Sequence, residues 1–279
     1  MAVSPSDTWI WHPDWKEGAN SDSAGGIVHF RRAVELETLP TEPVFIEITA
    51  DTKYKLYINQ QLISIGPVKG DEHLWFYDQV DIQPFLQAGE NLLHVRVLRL
   101  DHATSFATSF PRLPHAGLLI RSECLNVKTS KYWEAAIDPT TRLPVDAEED
   151  AFLHIYEDID SRNDADIKWK AARELVFPAS HGITAPWKLS KRMIPTPKFE
   201  SVKFKAIHNL RSCESLASWQ DALLVPGSRG IRLAPGTSHQ LHLEAEHHIS
   251  AFPDFRFQRP LTGGSILKVI KPWDLHHQC

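Results

Sequence analysis

Apolar and polar side chains alternate along two stretches of the first 100 residues. In residues 53–58 the apolar face carries Tyr54, Leu56 and Ile58, and the other face carries Lys53, Lys55 and Tyr57. In residues 91–99 the same spacing separates Leu93, Val95 and Val97 from His94, Arg96 and Leu98. A period of two residues is typical of a β-strand with one buried and one partly wet face. Both stretches are therefore predicted to be strands of a half-buried sheet.

Turn and helix signals complete this pattern. Asn59 to Gln61 predicts a turn into a second strand, which Gly66 and Pro67 end. Helical periodicity is sparse, and it favours only residues 169–177 and 215–224, with Ser215 as the N-cap of the latter. Many short strands with few helices indicate an all-β fold, an antiparallel β-sandwich or jelly roll.

Composition divides the chain into three predicted regions. Residues 1–137 are predicted to form an N-terminal β-sandwich, and we expect it to be carbohydrate-binding-like because of the residues discussed below. Residues 138–198 are rich in proline and acidic residues, which is typical of an exposed connector. Residues 199–279 again contain strand-like runs, at 240–245, 252–257 and 265–270, and predict a second, partial β-sandwich with a divergent tail.

Charge and cysteine content exclude several function classes. The 279 residues include 30 Lys and Arg against 35 Asp and Glu, a net charge of -5 without a basic run, so we expect no nucleic-acid partner. The three cysteines are widely spaced and predict neither a disulfide framework nor a zinc site. No apolar run is long enough to cross a membrane and no signal peptide is evident, so we expect a cytoplasmic protein. We also expect no cofactor.

Common catalytic and metal-binding motifs are not found in the sequence. A nucleophile elbow, a phosphate-binding glycine loop and an HExxH motif are missing. Paired carboxylates occur at residues 148–150, at Asp158 and Asp160, and at Glu244 and Glu246, where solvated surface positions are the simpler interpretation. His242 and His248 flank the last pair at strand spacing but complete no recognised metal-ligand pattern. We therefore predict no catalytic residues and no metal ligands.

The region of residues 51–81 combines aromatic and charged residues in a way that suits the binding of a sugar. Aromatic faces cover the C–H surface of a sugar while charged groups bind its hydroxyls. The alternative is that Trp75 and Tyr77 fill the core while Asp71 and Asp78 cap the loop backbone. Arg99 closes a strand and can approach the same end of the sheet. The predicted ligand-binding residues are Asp51, Lys53, Lys69, Asp71, His73, Trp75, Tyr77 and Asp78.

A series of short strings resembles the N-terminal β-sandwich region of fungal proteins similar to α-L-rhamnosidases of glycoside hydrolase family 78. Their order and spacing fit that region over nearly the whole chain, to about residue 269. The strings lie at residues 9–13 (WIWHP), 50–59 (ADTKYKLYIN), 66–71 (GPVKGD), 75–78 (WFYD), 81–86 (DIQPFL), 89–91 (GEN), 110–114 (FPRLP), 152–157 (FLHIYE), 186–189 (PWKL), 193–195 (MIP) and 243–248 (LEAEHH).

The resemblance implies where hydrolysis would occur in such proteins. In that family acidic residues of a large (α/α)6 barrel, C-terminal to the β domains, cleave the glycoside, and this sequence ends at Cys279 before such a barrel begins. The resemblance thus implies a form truncated before the catalytic domain. No catalytic residue of the family can be assigned to a position here, and whether the chain is an enzyme stays open.

Three functions are compatible with the sequence. The first is a rhamnosidase-like fragment that binds a carbohydrate or another small polar ligand, or serves as a structural accessory domain. The second is a stand-alone β-sandwich enzyme acting on a small molecule, an isomerase or cyclase of secondary metabolism. The third is an inactive truncation product, whose exposed sheet edges would favour self-association.

Overall fold

The computed structural model describes residues 8–18, 22–71, 74–100, 115–144, 157–176, 188–196 and 200–247. The chain forms two compact units, Met1–Thr196 and Pro197–Cys279. Within the described residues the structure is almost entirely β, as predicted, with one α-helix, α1 (Leu216–Leu224), and two short 3-10 helices.

Seventeen strands are formed by the described residues. In chain order they are β1 (Ile10–Trp11), β2 (Gly26–Leu36), β3 (Phe45–Asp51), β4 (Lys53–Ile58), β5 (Gln61–Gly66), β6 (Leu74–Asp81), β7 (Gly89–Arg99), β8 (Gly117–Ser122), β9 (Val127–Lys128), β10 (Glu134–Ile137), β11 (Thr141–Arg142), β12 (Asp158–Ile159), β13 (Lys170–Ala171), β14 (Arg173–Glu174), β15 (Lys188–Lys191), β16 (Phe204–Arg211) and β17 (Gln240–Ala245).

Two sheets of the first unit pack face to face as a sandwich. The seven-stranded sheet has the order β14-β1-β8-β3-β6-β15, with β9 beside β8, and the six-stranded sheet has the order β13-β10-β2-β7-β4-β5. All ladders are antiparallel except that of β15, which runs parallel to β6. Both sheets contribute side chains to one apolar core, among them Ile48 and Leu118 from the first and Phe30, Leu56 and Val95 from the second.

The alternating pattern of the sequence sets the faces of the central strands. Tyr54, Leu56 and Ile58 of β4 are at most 1% exposed, while Lys53, Lys55 and Tyr57 are only half-buried. Strand β7 follows the same rule, because its odd-numbered residues from Leu93 to Val97 are fully buried. Both strand predictions are confirmed, and the outer face of the six-stranded sheet is polar.

The region predicted as a connector, residues 138–198, contributes strands to both sheets. Strand β13 pairs with β10, β14 pairs with β1, and β15 pairs with β6. The helix predicted over residues 169–177 is wrong, because β13 and β14 occupy this stretch. The extended backbone is held by distant partners, since Ala172 N donates to the Trp133 carbonyl and Leu175 N donates to the Trp9 carbonyl, both at 2.8 Å.

The second unit is described over residues 200–247. Strands β16 and β17 form an antiparallel pair, and α1 lies between them in the chain. The predicted helix and its cap are confirmed, because the Ser215 hydroxyl accepts from Ser218 N at 3.1 Å. The strand predicted at 240–245 is also present, whereas those predicted at 252–257 and 265–270 lie outside the described residues. No helix in the described ranges is long and apolar enough to cross a bilayer.

Candidate functional site

The loop between β5 and β6 carries the most exposed residues of the predicted ligand site. Asp71 closes a turn, because its Oδ1 accepts from Leu74 N at 2.8 Å and its own N–H donates to the Leu74 carbonyl at 2.9 Å. Asp71 and Lys69 are both exposed. His73 lies outside the described residues. The side chain of Asp71 thus caps the loop backbone and still presents its carboxylate to solvent.

Trp75 and Tyr77 pack into a small apolar cluster with Trp9, Leu119 and Leu189. This cluster lies on the face of the seven-stranded sheet that points away from the six-stranded sheet, so these rings do not fill the space between the sheets. The Trp75 side chain is 1% exposed, and its Nε1 donates to the Ala50 carbonyl at 3.3 Å. Burial raises the pKa of Tyr77. Stacking of a sugar on Trp75 would require this ring to leave the cluster.

Asp78 lies on the inner face of β6 and is 4% exposed. Its Oδ2 accepts from the Tyr54 hydroxyl at 2.5 Å, and its Oδ1 accepts from Arg192 Nε. Burial, followed by the charge of Asp78, raises the pKa of Tyr54 well above its usual value, so the phenol stays protonated and donates. The carboxylate is thereby fixed by one donor from the opposite sheet and one from the segment after β15.

Lys53 lies on the outer face of β4 beside this group. Its ammonium donates to the Pro67 carbonyl at 2.8 Å. Burial lowers the pKa of Lys53, an effect opposed chiefly by the charge of Asp78 and reinforced by that of Arg192. An ammonium group has three N–H donors, and only one of them has a partner among the described residues.

Asp51 is fully buried at the end of β3. Its Oδ1 accepts from Arg99 Nη1 and from the Thr52 hydroxyl, both at 2.8 Å. Arg99 is 3% exposed and also contacts Glu17, with Nη2 to Oε1 at 2.9 Å. A carboxylate this deeply buried needs such pairing, because an isolated buried charge is costly.

The structure thus brings part of the predicted set together. The charges of Asp51, Lys69 and Asp78 are near enough to Lys53 to affect its pKa. Trp75 and Tyr77 belong to a separate cluster. Arg192 completes the group and was not predicted, because nothing in the sequence connects it to Asp78, 114 residues earlier. Binding of a ligand by these residues remains a prediction.

A second polar cluster, absent from the sequence prediction, lies on the outer face of the six-stranded sheet. His29 Nε2 lies 3.3 Å from Asp138 Oδ2, and His29 Nδ1 lies 3.0 Å from His94 Nε2. The ring of His94 also stacks on Tyr57, with centroids 5.3 Å apart. The outward direction of His94 was predictable, but its pairing with His29 depends on the register of β2 and β7.

Two residues of this polar cluster, His94 and Asp138, have shifted pKa values. Burial, followed by the neighbouring His29, Arg31 and Arg96, lowers the pKa of His94 to about 4. Burial alone would raise the pKa of Asp138, but hydrogen bonds from His29 and Thr140 hold it well below its usual range. At neutral pH, therefore, Asp138 is ionised and His94 is neutral.

Glu244 of β17 lies on an exposed ladder of the second unit, and Glu246 follows the end of that strand. Glu244 Oε2 contacts His208 Nε2 at 2.5 Å, and this hydrogen bond lowers the pKa of Glu244. Its other neighbour is the Lys205 ammonium at 3.5 Å. In the part of the chain that the structure covers, no group of three His, Cys, Asp or Glu side chains is arranged to hold a metal ion.

Comparison of sequences identifies no relative. No protein-family model matches the chain, and no curated protein matches it.

Comparison with solved structures identifies similar folds. The fold is similar to that of a GH78 family rhamnosidase of Bacillus sp. GL1, with a TM-score of 0.56 and 23% identity over 74% of this chain and 22% of that one. An α-L-rhamnosidase of Dictyoglumus thermophilum matches with a TM-score of 0.46 and 16% identity over 75% of this chain and 24% of that one. A lectin of Pleurotus ostreatus matches with a TM-score of 0.31 and 18% identity over 62% of this chain and 44% of that one.

These likenesses concern architecture alone. The chain spans 22% of the length of the Bacillus enzyme, and at 23% identity the similarity shows a shared β-sandwich fold.

Proposed function

We propose that this protein is a non-catalytic β-sandwich that binds a neutral carbohydrate at the loop between β5 and β6. The observation that carries the proposal is the position of Lys53. Its half-buried ammonium lies beside the exposed loop, with one N–H donated to the Pro67 carbonyl and two left for a ligand. Sugar hydroxyls accept hydrogen bonds from such a group.

The neighbouring residues support recognition of hydroxyl groups. The Asp71 carboxylate and the Lys69 ammonium are exposed on the same loop, and together they offer an acceptor and a donor. The loop itself is anchored, because Asp71 makes two hydrogen bonds to Leu74. These two hydrogen bonds hold Asp71 in place, which lowers the ordering cost when a ligand binds.

The buried carboxylates support a function without hydrolysis. Glycoside cleavage commonly needs one carboxyl held protonated as an acid and a second that is free to act. Asp51 and Asp78 instead accept hydrogen bonds from Arg99 and Arg192, which fixes both as structural acceptors. The likeness to a rhamnosidase fold makes L-rhamnose the first sugar to test.

The test is a titration of the full chain with neutral sugars, followed by amide chemical shifts. We expect L-rhamnose or another neutral monosaccharide to shift residues 66–71 at millimolar concentration. Lys53→Met should weaken this binding about tenfold or more, since it removes a charge-assisted hydrogen bond. Lys128→Met, at an exposed position of β9, is the matched control and should bind like the parent protein.

Two results would refute the proposal. The first is that no neutral sugar perturbs the loop. The second is that Lys53→Met binds as tightly as the parent while its thermal unfolding is unchanged. Asp71→Asn adds a check on the surface itself, because the amide oxygen preserves the turn to Leu74 but the charge is lost.

A further inference from the structure

A cross-strand row of basic residues lies on the outer face of the six-stranded sheet. Arg96 of β7 is in register with His29 of β2 on one side and with Lys55 of β4 on the other. Side chains directly opposite each other in an antiparallel pair have Cβ atoms about 5 Å apart, and like charges in that position repel. The carboxylates of Asp138 and Glu157, each 3.9 Å from Arg96 Nη2, offset part of this repulsion, and an anion between Lys55 and Arg96 would offset the rest.

The two cations also have unused hydrogen-bond donors. Lys55 makes no hydrogen bond or ion pair with any described residue, and its side chain is only half-buried. Arg96 donates to the Thr141 hydroxyl at 3.3 Å and lies 3.9 Å from the carboxylates of both Asp138 and Glu157. These long contacts leave most of its five N–H groups available to a better acceptor.

A ring nitrogen of His94 lies next to this pair. Asp138 is ionised and lies 3.3 Å from His29 Nε2, and the other nitrogen of that ring, Nδ1, shares a hydrogen bond with His94 Nε2 at 3.0 Å. His94 thus uses one ring nitrogen, Nε2, in this contact, and its Nδ1 is left to form a hydrogen bond with a ligand. This Nδ1 has no partner within the described ranges.

From this arrangement we propose that the outer face of the six-stranded sheet binds a small hydroxycarboxylate. Arg96 and Lys55 hold the carboxylate, and His94 Nδ1 forms a hydrogen bond with a hydroxyl of the same molecule, which can donate or accept. Carboxylate binding by Arg is strong because the guanidinium presents paired donors in a plane. The ring of Tyr57, stacked on His94, gives the ligand an apolar edge. This site uses other residues than the loop proposed above for neutral sugars, although Lys53 lies two residues from Lys55 on the same face of β4.

Three probes separate the chemistry that the site recognises. D-Glucuronate carries both a carboxylate and ring hydroxyls, D-glucose carries only hydroxyls, and acetate carries only a carboxylate. We expect glucuronate to bind the full chain in calorimetric titration, with affinity falling as salt is added. Glucose and acetate should each bind at this face at least about tenfold more weakly than glucuronate, because glucose lacks the carboxylate and acetate lacks the hydroxyls. Glucose binding at the loop is recognised by its loss in Lys53→Met.

Variants assign the binding to these residues. Lys55→Gln and His94→Gln should each weaken glucuronate binding about tenfold, while Lys128→Gln and His247→Gln, at exposed positions elsewhere, should not. Lys55→Gln should also be at least as stable as the parent when no ligand is present, since it removes a like-charge pair. If Lys55 served only to stabilise the fold, Lys55→Gln would instead be less stable than the parent protein.

Any of three results would overturn the proposal: no glucuronate binding, equal affinity for glucuronate and acetate, or full affinity in both Lys55→Gln and His94→Gln. The two proposals can fail independently. Lys53→Met tests the neutral-sugar site and should leave glucuronate binding unchanged.

Discussion

The hydroxyl of Tyr54 donates a 2.5 Å hydrogen bond to Oδ2 of Asp78, and this bond joins the two sheets of the sandwich. Tyr54 lies on β4 of the six-stranded sheet and Asp78 lies on β6 of the seven-stranded sheet. Because Arg192 donates to the other carboxylate oxygen, one buried acidic side chain connects three distant parts of the chain.

Removal of the Tyr54 hydroxyl should destabilise the first unit. Tyr54→Phe leaves a buried carboxylate oxygen without its donor, which costs about 1–3 kcal/mol. We expect a lower midpoint of urea unfolding with an unchanged slope. Tyr57→Phe is the control, since the Tyr57 hydroxyl has no hydrogen-bond partner in the described part of the chain. Equal midpoints for the two variants would contradict the assigned function of Tyr54.

Loss of the Arg99 guanidinium should be more damaging. Arg99→Met leaves the fully buried Asp51 without its cation, and breaking a buried pair by removing one partner costs about 3–5 kcal/mol. Denaturant unfolding should show the loss. The exposed Arg162, which pairs with Asp160, provides the comparison, and Arg162→Met should change stability little because solvent screens this pair.

Gly66 leaves no space for a side chain. A Cβ at this position would lie 2.0 Å from Asp78 Oδ2 and 2.8 Å from the Tyr54 hydroxyl oxygen. Gly66→Ala should therefore displace the carboxylate and cost about 3 kcal/mol or more. Gly230→Ala meets no atom within 4 Å, and its φ of +77° predicts only a backbone cost of about 1–2 kcal/mol. Thermal unfolding of both variants measures the difference, and a smaller loss for Gly66→Ala would contradict the close contact.

Stability should fall on mild acidification because of His94. The pKa of its imidazole is about 4 in the folded chain and near 6.5 when unfolded, so the unfolded state takes up the proton first as pH falls. Between about pH 6.5 and 4 the free energy of unfolding should decrease by up to about 1.4 kcal/mol per pH unit from this residue. Above pH 6.5 the residue contributes no pH dependence.

Substitution isolates this effect from other groups. His94→Gln should flatten the stability profile in this range, although His12, whose pKa is also lowered by burial, retains a slope of the same sign. Asp138 has a lowered pKa and loses its contribution only below about pH 4, outside this window. An unchanged profile in His94→Gln would rule out a neutral, buried imidazole.

Local pattern was enough to predict the central strands, because one face of β4 and β7 is apolar and the other is not. It failed at residues 169–177, where Ala171, Ala172 and Leu175 have helical spacing. There the backbone hydrogen bonds to the distant Trp133 and Trp9 carbonyls outweigh a weak local preference.

The candidate sites were predictable only in part, for the same reason. Lys69 and Asp71 lie close together in the chain, so their composition indicated a polar loop. Arg192 reaches Asp78 only through the parallel pairing of β15 with β6. His29 meets His94 only through strand register, which a single sequence does not specify.

Residues 170–174 join the margins of both sheets within five residues. Strand β13 covers β10 of the six-stranded sheet, Ala172 enters the core, and β14 covers β1 of the seven-stranded sheet. This short stretch therefore connects the edges of the two sheets along one side of the sandwich. Loss of these residues would uncover β10 and β1 at once, and each would offer unsatisfied backbone groups to a neighbouring molecule.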